Sequence, residues 1–176
     1  MKLDLTEERV RFDFPNATAL YKFDERNNLS PTFHGAPMQA VDVMAEFKSF
    51  QLWIEIKEYS SEEIEEMRNV GGQQKSKDER NLKSYLTKNF KHKFRDTYLY
   101  RVCENKINSP IVYVCLTNFD DALNVFYRKE LQKQLPAGKP TKRWQNELIS
   151  KDHVWVVNEL GWNRNFNVSF GTCNRY

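Results

Sequence analysis

The chain has 176 residues, with 27 Lys and Arg set against 24 Asp and Glu for a net charge of +3. That length holds one domain with a real core and is too short for two full-sized ones, and a composition of 40% hydrophobic, 14% aromatic and 29% charged residues excludes a disordered or fibrous chain. So small a net charge does not by itself call for a polyanionic partner or a membrane surface.

Leu3, Leu5, Val10, Phe12 and Phe14 lie among charged residues ahead of Pro15-Asn16, a pattern read as a short amphipathic helix over residues 3 to 14. Charges stand there where a signal peptide needs an apolar stretch, and no apolar run is long enough to span a bilayer, so no membrane partner is expected. A loop-like stretch follows, and residues 27 to 37 collect structure breakers such as Pro31, Gly35 and Pro37. Residues 39 to 47 and 50 to 59 then carry two β signals, and the short Lys48-Ser49 connection makes them an antiparallel hairpin. Ser60-Ser61-Glu62-Glu63 opens a short acidic helix that Gly71-Gly72 ends, and residues 73 to 77 are expected to be mobile.

From Asp78 to Glu104 there is no Gly or Pro, and Leu82, Leu86, Phe90 and Phe94 recur at helical spacing, which predicts the longest helix of the chain. Residues 111 to 116 are apolar on both faces and suit a central strand, and residues 120 to 135 form a further helix. Residues 141 to 150 read as a helix, 154 to 157 as a strand and 161 to 171 as an edge strand. The order of elements argues for an α/β (α+β) fold in which a single mixed sheet is flanked by helices.

Chemistry concentrates in the hairpin, with Asp42 in its first strand and Glu55-Ile56-Lys57 in its second. Alternation along a strand puts Trp53, Glu55, Lys57 and Tyr59 on one face and Leu52, Ile54 and Ile56 on the other. Asp42 stands between Val41 and Val43, where a carboxylate is costly unless a divalent cation or Lys57 satisfies it. The other two Glu-X-Lys triplets, Glu46-Phe47-Lys48 and Glu104-Asn105-Lys106, fall at a strand end and a helix end, so context singles out Glu55-Ile56-Lys57. The same residues are also compatible with a solvated strand face on which Asp42 makes an ordinary ion pair.

On these residues the chain resembles the PD-(D/E)XK nuclease superfamily, whose restriction-endonuclease-like core is a helix, a hairpin with an acid on one strand and Glu-X-Lys on the next, then a helix and a strand. The resemblance spans roughly residues 3 to 117 and leaves 118 to 176 as a C-terminal extension. It implies hydrolysis of phosphodiester bonds in nucleic acid, DNA favoured over RNA, with Mg²⁺ or Mn²⁺ as cofactor. Asp42 and Glu55 would be metal ligands together with the backbone carbonyl of Ile56, and Lys57 would stand beside the attacking water. Oxygen ligands suit Mg²⁺, and the metal stabilises charge that builds on the phosphate. Many members add an acid from the first helix, for which Glu7 and Glu8 are candidates, unless they belong to a solvated helix face. Val41 stands where the superfamily motif has Pro. Many members act as homodimers, and this sequence leaves the oligomeric state open. A non-catalytic nucleic-acid-binding or protein-interaction module on the same scaffold is the alternative.

Ten basic and four acidic residues lie between Lys75 and Lys106, whereas residues 58 to 66 carry five acids. Lys88, Lys91 and Arg95 gather opposite the apolar stripe of the long helix, as phosphate contacts would require and as a plain solvated face would also look. Arg128, Lys129, Lys133, Lys139, Lys142 and Arg143 admit the same two readings. His34, just before the Asp42 strand, is a candidate nucleic-acid contact or an ordinary loop histidine. Trp144, Trp155 and Trp162 could stack on bases or simply pack. Cys103, Cys115 and Cys173 form no CxxC pair and read as reduced thiols of a cytoplasmic protein.

Overall fold

Leu3 and Leu5, then Val10, Phe12 and Phe14, alternate with polar residues, and in the computed structural model, which describes residues 1–69, 77–139 and 141–176, that period of two prevails over the helix expected there. Strands β1 (Lys2–Leu5) and β2 (Val10–Asp13) form an antiparallel hairpin with Leu3 opposite Phe12 and Leu5 opposite Val10. Arg9, at φ 51°, turns the chain between them. Leu5, Val10 and Phe12 are buried on one face while Arg11 pairs with Asp4 outside. Strand β8 (Thr172–Arg175) adds antiparallel to β2 and completes a three-stranded sheet. A helix over residues 3 to 14 would offer β8 no edge to pair with.

The main sheet contains β3 (Ala19–Lys22), β4 (Val43–Glu46), β5 (Gln51–Ile56), β6 (Ile111–Leu116) and β7 (Val154–Val157), in that spatial order. Its first two pairings, β3 with β4 and β4 with β5, are antiparallel, and β5–β6 and β6–β7 are parallel. The expected hairpin is β4–β5 and the expected central strand is β6, and every residue of β5 and β6 is buried. The α/β class is therefore as expected, with a mixed sheet at its centre. The three-stranded second sheet and the edge strand β3, which lies in a stretch read as loop, are additions.

Helix α1 (Ser61–Asn69) starts with a reciprocal cap, the Ser60 hydroxyl accepting from the Glu63 amide and the Glu63 carboxylate from the Ser60 amide. Gly71-Gly72 and residues 73 to 76, expected to end it and to be mobile, lie outside the described residues, whereas Lys77, expected to be mobile with them, opens the next helix. Helix α2 (Lys77–Cys103) is the long helix, and α3 (Asp121–Gln134) is capped by Asp120, whose carboxylate accepts from the Leu123 amide. Helix α4 (Glu159–Phe166) replaces the edge strand expected over 161 to 171. Asn158 caps it by accepting from the Gly161 amide, and Trp162 and Phe166, one turn apart, are both buried. Residues 141 to 150 form turns and bends instead of the expected helix. Of their apolar side chains Leu148 and Ile149 reach the core and Trp144 stays exposed, too little apolar surface to hold a helical face down.

Two cores result. On one face of the main sheet Trp53, Tyr113, Phe90, Phe94, Phe119 and Tyr127 pack between strands and helices α2 and α3. On the other, Leu52, Ile54 and Val114 meet Phe12, Phe14 and Trp162 from the second sheet and α4. The alternation read along β5 is thus observed. No described helix is long and apolar enough to cross a membrane.

Trp162 stacks on Phe14 at 5.8 Å, and its indole N–H donates to the Gly171 carbonyl at 3.0 Å. Gly171 itself sits at φ +120°, and a Cβ there would collide with the Asp13 carbonyl. Trp162→Ala is expected to lower stability by about 3–5 kcal/mol, and Gly171→Ala to lower the midpoint as well, both read from urea unfolding.

Candidate active site

Ladder pairing between β4 and β5 reaches Val43 opposite Ile54. Asp42, expected inside the first strand, lies at its mouth, and its side chain takes over where the backbone stops. Its Oδ2 accepts the Ile56 amide at 2.6 Å, while its carbonyl accepts the Phe23 amide at 2.8 Å. The carboxylate is therefore tied to the next strand and the backbone to the previous one.

Glu55 lies on the β5 face that α2 covers and is 0% exposed. Lys57 places its Nζ 3.1 Å from Glu55 Oε1, and Lys93, arriving from α2, places its Nζ 3.3 Å from Oε2. Neither oxygen receives a well-directed hydrogen bond. The same Lys93 ammonium is 3.5 Å from Asp42 Oδ1 and 3.7 Å from Asp24 Oδ2. Asp42, Glu55 and Lys57 thus come together, as their pattern in the hairpin led us to expect, and the structure adds Lys93 and Asp24. Solvent reaches the cluster most readily at Lys57, whose side chain is 31% exposed against 12% for Lys93.

Lys93 had a readable signal. It follows Phe90 by three residues and precedes Thr97 by four, on the stripe that buries Phe90, Phe94, Thr97 and Arg101. A lysine inside such a stripe needs a partner. Asp24 follows a strand whose pattern was not recognised, and nothing in its local sequence marks it.

Burial pushes the Glu55 carboxyl up to about 8, the Asp42 charge adds to this, and the Lys93 and Lys57 ammoniums oppose it. Burial works against the Lys93 charge, but Glu55, Asp42 and Asp24 outweigh it and hold its pKa above the ordinary value.

The remaining candidates lie elsewhere. Glu8 is in the β1–β2 turn, not on a helix, and with Glu7 it approaches Lys22, at 3.9 and 3.3 Å. Lys88 and Arg95 are exposed and Lys91 half-buried along α2. His34 is buried, stacked on Tyr100 at 4.4 Å, and burial lowers its pKa. Trp162 belongs to the core, and the Arg128 guanidinium covers Trp155 at 3.4 Å. Cys103, Cys115 and Cys173 are all free thiols. The glutamates of the other two triplets, Glu46 and Glu104, both bind the buried Arg101, at 2.8 and 3.1 Å.

Among the described residues no group of three or more His, Cys, Asp and Glu side chains is gathered to hold a metal ion. Mg²⁺, however, is commonly held by one or two carboxylates, with waters and substrate phosphates completing its shell. Asp42 Oδ1 and the two Glu55 oxygens are hard donors that face the Lys57 and Lys93 ammoniums, and they fit that pattern. The chain matches no protein-family model, no curated protein and no solved structure.

With Glu55 titrating near its ordinary 4.5 when unfolded and at about 8 when folded, the folded chain keeps a proton that the unfolded chain has lost. Stability contributed by this group is present below 4.5, falls as pH rises through that window and levels off above about 8. Glu55→Gln should remove this slope, measured as melting temperature against pH in metal-free buffer.

Proposed function

We propose that the chain is a Mg²⁺- or Mn²⁺-dependent hydrolase of phosphodiester bonds in nucleic acid, DNA favoured over RNA. One observation carries the reading: Asp42, Glu55 and Lys57, drawn from adjacent strands, meet in a single partly open cluster. Asp42 and Glu55, with the Ile56 carbonyl, would hold the cation, which when bound would neutralise charge on the phosphate and acidify a water.

The chain's own residues supply the positioning. The Ile56 amide holds Asp42 Oδ2 and so directs Oδ1 into the cluster. Burial prevents the Glu55 carboxylate from swinging toward solvent. Lys57, anchored on Glu55 Oε1 and open to solvent, is the ammonium that would donate to a phosphate oxygen or to the attacking water, favouring its deprotonated form. Lys88 and Arg95 are exposed on the helix that carries Lys93, with Lys91 half-buried beside them, and would take backbone phosphates.

A non-catalytic nucleic-acid-binding or protein-interaction module is the second reading. It is favoured by Lys93, whose ammonium already lies against both carboxylates. Cleavage assays separate the two. Asp42→Ala and Lys57→Ala should each lower Mg²⁺-dependent cleavage of DNA by about 10²–10³-fold, with the circular dichroism spectrum unchanged. Cleavage that survives both substitutions would remove the assignment, and a wild-type chain that neither cleaves nor binds Mg²⁺ in calorimetry would favour the module.

A further inference from the structure

Lys93 is the member of the cluster that the proposed chemistry leaves without a task. Its ammonium stands 3.3 Å from Glu55 Oε2, 3.5 Å from Asp42 Oδ1 and 3.7 Å from Asp24 Oδ2. Charge-assisted N–H···O contacts usually run about 2.7–2.9 Å, so this ammonium is shared by three carboxylates and bonded tightly to none. Eight residues further along α2, Arg101 holds Glu46 at 2.8 Å and Glu104 at 3.1 Å, the closer geometry of a fixed structural pair. Glu55, fully buried and without a directed hydrogen bond, has Lys57 as its other cation. Removing one partner of a buried charge leaves the other uncompensated, so the metal-free fold needs Lys93 where it is.

A divalent ion at Asp42 and Glu55 would meet this ammonium as a like charge at the same oxygens. Asp24 is the carboxylate of the three that the hairpin does not supply. It follows β3 and is joined to Asp42 through the Phe23 amide. Its Oδ1 lies 2.7 Å from Arg26, and its Oδ2 faces Lys93.

We infer that Lys93 is a built-in occupant of the cation position: its ammonium holds Asp42 and Glu55 in place before a divalent ion arrives and withdraws onto Asp24 when one binds. This rests on Asp42 and Glu55 being the metal-binding pair proposed above. The arrangement keeps the metal-free carboxylates assembled and weakens metal affinity, because binding must displace an internal cation. Lys93 is thus a positioning residue that tunes the metal site.

The test is calorimetric titration of the full chain with MnCl₂, together with thermal melting with and without Mn²⁺. Lys93→Met should bind Mn²⁺ at least about tenfold more tightly than wild type, the scale on which one neighbouring like charge shifts the binding of a proton. It should also melt lower than wild type without metal and gain more from Mn²⁺. Asp24→Asn should weaken Mn²⁺ binding in the wild-type background and have no effect in the Lys93→Met background, a coupling that a double-mutant cycle reads directly.

Wild type binding Mn²⁺ as tightly as Lys93→Met would overturn the inference and leave the metal site standing. Weakening by Asp24→Asn in the Lys93→Met background would make Asp24 a ligand and overturn its role as the resting place. If Lys93→Met does not fold in metal-free buffer, recovery on refolding with Mn²⁺ supports the inference and failure to recover overturns it. Binding by Lys93→Met alone would uphold Lys93 as occupant of the cation position but overturn its withdrawal onto Asp24 and remove the metal-dependent enzyme, whereas binding by neither chain would remove both the inference and the enzyme.

Discussion

Glu55, a carboxylate with 0% exposure, sets the terms for the rest of the structure. A carboxyl in such a place is tolerated when it keeps its proton or when cations and geometry compensate the lost hydration of its charge. Two elements supply that compensation. Strand alternation brings Lys57 to the same face of β5, and α2 brings Lys93 down from above. Asp42, whose charge works against Glu55, is held in position by the Ile56 amide and shares the same ammonium.

Helix α2 is consequently fastened to the hairpin by two cations eight residues apart, about 12 Å along a helix rising 1.5 Å per residue. Arg101 is the firmer of the two. Its planar guanidinium reaches Glu46, Glu104, the Tyr21 hydroxyl and Gln51 at 2.8 to 3.4 Å. Lys93 is the looser, a point charge among three carboxylates. Between them Phe94 and Tyr98 lie against Trp53, so packing sets the height of the helix over the strand. The opposite face of the sheet matters equally, because Leu52, Ile54 and Ile56 would be exposed without Phe12, Phe14 and Trp162 to cover them. A β5 covered on one side alone would be a poorer platform for Glu55, since burial on both faces restrains the strand.

Elements with strong local signals were legible in the sequence. The β4–β5 hairpin, the doubly apolar β6 and helices α1, α2 and α3 each carry periodicity or caps within a short window. The misread segments share a different property. Residues 3 to 14 carry a local period of two, and pairing with β8, more than 150 positions later, is what favours it over the helix expected there. Residues 161 to 171 look strand-like until Asn158 is seen as a cap and the spacing from Trp162 to Phe166 as one helical turn. At the site, Asp42, Glu55 and Lys57 were legible because two paired strands and their alternation define them. Lys93 stands on the buried stripe of α2 and not on the outward row of Lys88, Lys91 and Arg95, a placement that the helical period marks without naming its partner.

By itself, then, the sequence determined the hairpin, the face on which Glu55 and Lys57 stand and the helical stripe of α2, since strand and helix periods are properties of neighbouring residues. Tertiary structure alone decided that α2 crosses that face with Lys93 over Glu55, that Asp24 joins from the segment after β3, and that a second sheet closes the other side. The reason is physical. Periodicity states which way a side chain points and so places Lys57 beside Glu55, whereas the cation that comes from another element is chosen by packing across 38 residues from Glu55 to Lys93 and 69 from Asp24 to Lys93.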